Sequence, residues 1–175
     1  MPINVFEIRN AKPEEFANIG QLMVNVYSQL DGFPTESEQP HYYEMLRQAG
    51  NFTSKPDTEI FVAIGSEGVI KGAVVYFGDM RYYGSGGTAT KEKNAAGFRL
   101  LAVANDARGL GIGKMLTLAC IQKAKQQGQK QIVIHTTKAM QAAWEMYEKL
   151  GFKRSEDLDF IQGELPVFGF RLSLE

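Results

Sequence analysis

The chain has 175 residues, 44% of them hydrophobic, with 19 basic and 20 acidic side chains and a net charge of −1 at pH 7, about one domain's worth on the usual ~100–200-residue scale. The near-neutral balance gives no basic footprint for a phosphate backbone, and no apolar run approaches the ~18 residues of a membrane span, so neither nucleic acid nor membrane is an expected partner. One cysteine, Cys120, excludes an internal disulfide, Cys/His metal clusters are absent, and MPINVFEIRN lacks a signal peptide's apolar region; a cytoplasmic protein without a metal is predicted.

Residues 5–9 alternate apolar and polar side chains, as in a half-buried strand. Pro13, Glu14 and Glu15 open a helix, since proline fits the first turn and acids there suit the macrodipole. Phe16, Ile19, Leu22, Met23, Val26 and Leu30 carry its apolar stripe down to the break at Asp31-Gly32. A polar loop over 34–40 and a short helix near 41–48 follow. Residues 59–64 and 69–77 are rich in β-branched and aromatic residues around the turn Gly65-Ser66-Glu67-Gly68, which predicts a hairpin. Residues 79–96 read as loop, 97–103 (GFRLLAV) as a strand, and 112–127 as a helix that Gly128 ends. A strand over 131–136, a helix over 139–150 closed by Gly151, and strands near 152–160 and 167–174 complete the chain. Early hairpins and a later β-α-β crossover predict a mixed sheet with helices on both faces, in a single domain over 1–175.

The chemistry concentrates between Val103 and Lys114. A strand ends, the turn Arg108-Gly109-Leu110-Gly111-Ile112-Gly113 follows, and a helix begins at once. Glycines without Cβ let successive amides converge, and the helix N-terminus adds unsatisfied donors, so the turn predicts a phosphate cradle flanked by Arg108 and Lys114. A tight turn that needs glycine only for its backbone angles would look the same. A Walker loop fails on spacing, because Arg108 and Met115 stand where Gly and Ser/Thr are required, and no GxGxxG dinucleotide pattern is present.

The spacing that does fit is R-x-x-G-x-G. With LLAV at 100–103 before it and AAWEMYEKLGF at 142–152 after it, the chain resembles the GNAT superfamily of N-acetyltransferases. The resemblance implies a mixed, mostly antiparallel sheet of about six or seven strands with about four helices on both faces. It implies an enzyme that moves the acetyl group of acetyl-CoA, its co-substrate, to an amine of a small molecule or peptide by direct attack. Leu101, Ala102 and Val103 would bind the pantetheine arm, with the Val103 amide as oxyanion donor. Arg108, Gly109, Leu110, Gly111, Ile112, Gly113 and Lys114 would bind the pyrophosphate, and Ala143 would also contact the cofactor. Tyr147 stands where relatives place the general acid for the leaving thiolate. Alternatively, it is one more aromatic on a helix stripe.

Two departures from the family pattern stand out. Met140 replaces an asparagine that often contacts the cofactor, and Gly97, Phe98, Arg99 and Leu100 offer no carboxylate as general base. His135 is the remaining titratable candidate, against the alternative of a histidine satisfied by the fold. Arg99 reads as one half of a structural ion pair, with a contact to a substrate anion as the alternative, and Cys120 as core. Transfer of a longer acyl group, a hydroxyl acceptor, and a non-catalytic acyl-CoA-binding module remain alternatives. The acidic, aromatic segment 31–43 reads either as a solvated loop whose acids keep it soluble or as a mouth that gathers a cationic amine; oligomeric state is open, a homodimer being one option.

Overall fold

A computed structural model describes residues 5–175; the first four residues of the N-terminal reading, and so part of the signal-peptide argument, lie outside the described residues. Eight strands are present: β1 (Glu7–Asn10), β2 (Thr58–Ile64), β3 (Ile70–Phe77), β4 (Ala95–Val103), β5 (Gln131–Thr136), β6 (Lys153–Arg154), β7 (Phe160–Gln162) and β8 (Leu165–Ser173). Seven lie in the order β1-β2-β3-β4-β5-β8-β6, and β7 pairs with β8. β4 and β5 are parallel and every other pair is antiparallel. The helices are α1 (Phe16–Ser28), α2 (Pro40–Arg47), α3 (Ile112–Gln126) and α4 (Gln141–Lys149). Among the described residues, no helix is long and apolar enough to cross a membrane.

The period-two pattern sorts the strands into two cores. Ile60, Val62, Val75 and Phe77 pack with α1 and α2 on one face, while Phe61, Val74 and Tyr76 pack with α3 and α4 on the other. In β4 this parity switches. Ala96 and Phe98 belong to the α3/α4 core, but so do Leu101 and Val103, whereas Leu100 and Ala102 turn to α1 and α2. The cause is a bulge: pairing with β3 slips between Ala73 and Val75, and Leu100 sits at φ 61°. One extra residue exchanges the faces of everything beyond it.

Two expected elements differ. Residues 13–15 form a 3-10 turn before α1 proper, held by the Glu15 carboxylate, which accepts from the Lys12 amide at 2.8 Å and pairs with Arg9 at 2.9 Å. The strand expected over 152–160 is broken into β6, a 3-10 turn and β7. Arg154 pairs with Asp159 at 2.7 Å and donates to the Gly169 carbonyl, and these bonds fold the segment back on itself against β8.

Candidate active site

β4 and β5 pair only from Ala95↔Gln131 to Gly97↔Val133. Beyond that point β4 runs on to Val103 against β3, and β5 runs on to Thr136 against β8. Two parallel strands with separate outer partners diverge, which leaves backbone groups on their facing edges without ladder bonds. A cavity of about 590 Å³ fills this wedge, a volume typical of ligand sites. Its walls are β4, the glycine turn, the end of β5, α4, Val26 and Tyr27 near the end of α1, and Leu30 just past it.

The glycine turn forms the floor. Gly109 and Gly111 have φ of 81° and 83°, which glycine adopts without penalty, and a Cβ on either would meet nothing within 4 Å. Gly111 is the N-cap of α3, and the Met115 amide, bonded to the Gly111 carbonyl at 3.0 Å, is the first of the helix to find an acceptor. Among the described residues, no amide from Gly109 to Lys114 donates to a protein carbonyl. The unbonded amides, the helix dipole and the side chains of Arg108 and Lys114 converge on one end of the cavity. These features fit a pyrophosphate, and no tight packing at these glycines demands their absence of side chain.

At the other end stands Tyr147. It is 5% exposed, packed against Phe98 and Phe152 with ring centroids 5.8 and 5.6 Å away. Burial raises its phenol above the usual range. It lines the cavity. Of the other residues named from the sequence, Leu101, Val103, Arg108, Gly109, Gly111, Ile112, Gly113, Lys114 and Ala143 also line it. Ala102 does not, because the bulge sends its side chain into the opposite core, and Leu110 points to solvent. Ala104 donates to the Lys71 carbonyl across to β3 at 2.9 Å, so by alternation the Val103 amide faces the wedge.

His135 lines the cavity with both ring nitrogens engaged, by the Tyr83 hydroxyl at 3.0 Å and the Leu158 carbonyl at 2.8 Å. Burial, chiefly, lowers its pKa. This is the fold-satisfied alternative rather than a free base. Arg99 corrects the reading of a structural ion pair: among the described residues no carboxylate pairs with it. The acidic loop is corrected too. Glu36 pairs with Arg47 at 2.6 Å and Glu38 accepts from the Thr35 amide, so these acids serve the loop itself. Its aromatic half, through Phe33 and Tyr42, lines a smaller cavity beside the wedge.

Sequence reasoning missed Tyr27, whose hydroxyl donates to the Leu101 carbonyl at 3.0 Å at the bulge. Its position beside Val26 on the apolar stripe was visible, but a contact 74 residues away was not.

Comparison with known proteins completes the picture. Residues 23–152 match the family model of the GNAT acetyltransferases. A mycothiol acetyltransferase from Paenarthrobacter aurescens (strain TC1) is 38% identical over 66 residues, which is 38% of this chain and 20% of that protein. The chain therefore spans about a fifth of that curated relative. A GNAT-family acetyltransferase structure from Staphylococcus aureus Mu50 superposes with a TM-score of 0.75 at 16% identity, covering 98% of this chain and 100% of that one. The structure of yncA from Salmonella typhimurium, solved with its cofactor acetyl-CoA, has a TM-score of 0.67 at 16% identity, covering 98% and 95%. At such identities the likeness carries the fold.

Proposed function

Because the chain belongs to the GNAT acetyltransferase family, we propose that it is an N-acetyltransferase carrying the acetyl group of acetyl-CoA directly to an amine of a small molecule or peptide. One observation carries the reading: the turn of unbonded amides opens into a wedge of about 590 Å³ between β4 and β5. The amides of Gly109 to Lys114, with Arg108 and Lys114, hold the pyrophosphate. The free edge of β4 at Leu101–Val103 holds the pantetheine arm, and Ala143 closes the opposite wall. The Val103 amide donates to the thioester oxygen as negative charge grows there.

Tyr147 donates a proton, or a hydrogen bond, to the departing sulfur. A phenol whose pKa burial has raised is a reluctant donor, so the transfer is concerted with C–S cleavage rather than a step before it. No wedge residue offers a carboxylate as base, so the amine enters neutral and loses its proton to water.

The test is an acetyl-CoA-dependent thiol-release screen against amino acids, polyamines, aminoglycosides and peptides. Acetylated product from one of these amines is expected. Tight acetyl-CoA binding without transfer to any amine, or transfer only to hydroxyls or only from longer acyl donors, would refute the proposal.

A further inference from the structure

A second, smaller cavity of about 70 Å³ adjoins the wedge, and Tyr27, Arg99, Leu100, His135, Thr136 and Met140 line both. It has room for roughly five water-sized groups at ~10–15 Å³ each. Phe33, Tyr42, Phe160, Leu165 and Val167 give the rest of its wall an apolar part, beside the polar Ser85 and Gln162.

Among the described residues, Arg99 is its only fully charged group, and no Asp or Glu lines either cavity. The guanidinium is half-buried, between the rings of Phe52 and Tyr83 at 5.9 and 5.8 Å. Of its five N–H donors one goes to the Tyr83 carbonyl at 3.0 Å and one to the Met45 sulfur at 3.9 Å. The Asp159 carboxylate, the nearest acid acting on His135, is already committed to Arg154 and the Gly169 amide. A cation drawn out of water without an anion is costly, and the cost is relieved when an anion arrives. A second observation stands beside it. Thr137, 4% exposed, lines the same cavity with a buried Oγ1 that has no hydrogen-bond partner among the described residues. A guanidinium fork and an orphan hydroxyl in one partly apolar pocket suit a carboxylate.

We propose that the acceptor is a primary amine that itself carries a carboxylate on a small apolar body, as in an apolar amino acid. The inference rests on the acetyltransferase reading and names its substrate class. The carboxylate sits on Arg99 and Thr137, and the amine faces the wedge beside Tyr147. Its nitrogen lone pair forms the C–N bond as the thioester C–S bond breaks. The nitrogen gives up one proton, the sulfur takes one up, and the products are the N-acetyl amino acid and free CoA thiol. The positive lining of the pocket lowers the pKa of the bound ammonium and so raises the neutral, reactive fraction.

The experiment compares leucine, methionine and phenylalanine with their amides, and with spermidine, on the unaltered enzyme, which leaves the fold untouched. Acids are expected to exceed amides in kcat/KM by roughly 10–100-fold, the range for losing a hydrogen bond to a charged group. Arg99→Gln should erase that preference, with acetyl-CoA binding and the circular dichroism spectrum retained. Amides or spermidine acetylated as well as the acids would overturn the inference and leave the acetyltransferase reading intact. Absence of any acetyl-CoA binding would instead remove that reading, and the inference with it.

Discussion

The Tyr83 phenol and the His135 imidazole fix each other's protons. A carbonyl only accepts, so the 2.8 Å contact with Leu158 assigns the proton of the neutral ring to Nε2, and Nδ1 accepts from Tyr83 at 3.0 Å. Protonating the ring would place a second donor against the Tyr83 hydroxyl and a charge beside Arg99. The folded-state pKa is accordingly depressed, chiefly by burial.

The sign of the pH effect follows. Above the ordinary histidine pKa of ~6.5, folded and unfolded states both hold a neutral ring and His135 contributes nothing. Below it, the unfolded chain binds a proton that the fold resists, so stability falls with pH until the depressed folded value is passed. Thermal melts from pH 8 to 5 should show this decline starting near 6.5. His135→Gln should flatten that limb; an unchanged limb would assign it to other groups.

Acetyl-CoA should raise the melting temperature. At a hundred times its dissociation constant the gain is ~2.7 kcal/mol, or roughly 5–10 °C for a chain of this size. Gly113→Ala should act with opposite signs on the two states. Its Cβ would sit at ordinary contact distance from Val103, Leu101 and Met146, the closest at 3.8 Å, and would improve helix propensity by up to about 1 kcal/mol. The methyl would also project where the cofactor approaches, so the ligand-induced shift should shrink. An undiminished shift would place the cofactor elsewhere.

Tyr147→Phe should lower turnover by roughly 10²-fold or more, the usual yield of general-acid help. The melting temperature and acetyl-CoA affinity should hardly move, because the change removes only a hydroxyl at the cavity wall and keeps the packed ring. Unaltered turnover in a pre-steady-state burst would take the acid role away from Tyr147.

Gly20 offers a test of the fold alone. A Cβ there would lie 2.1 Å from the Arg47 carbonyl oxygen, backbone that cannot step aside. Gly20→Ala should therefore force α1 and α2 apart and cost at least the ~1–3 kcal/mol of an overpacked core. Chemical denaturation would read this directly, and a neutral result would contradict the α1–α2 contact.

The sequence by itself determined what depends on neighbours along the chain. The turn from Arg108 to Lys114, the hairpin at Gly65–Gly68 and the stripes of α1 and α3 are local patterns, set by backbone sterics and periodicity, and they appear where the spacing placed them. Tyr147 was legible through its motif, although nothing local shows that its hydroxyl faces a cavity. Tertiary structure alone decided the rest. The wedge exists because β4 and β5 find different outer partners, and the bulge at Leu100 exchanges the faces of Leu101, Ala102 and Val103. Arg99 looked like half of an ion pair until the fold placed every acid elsewhere, Glu36 on Arg47 and Asp159 on Arg154. Pairing between residues tens of positions apart is a property of packing, where chain connectivity and competing partners, not spacing, settle which charge meets which.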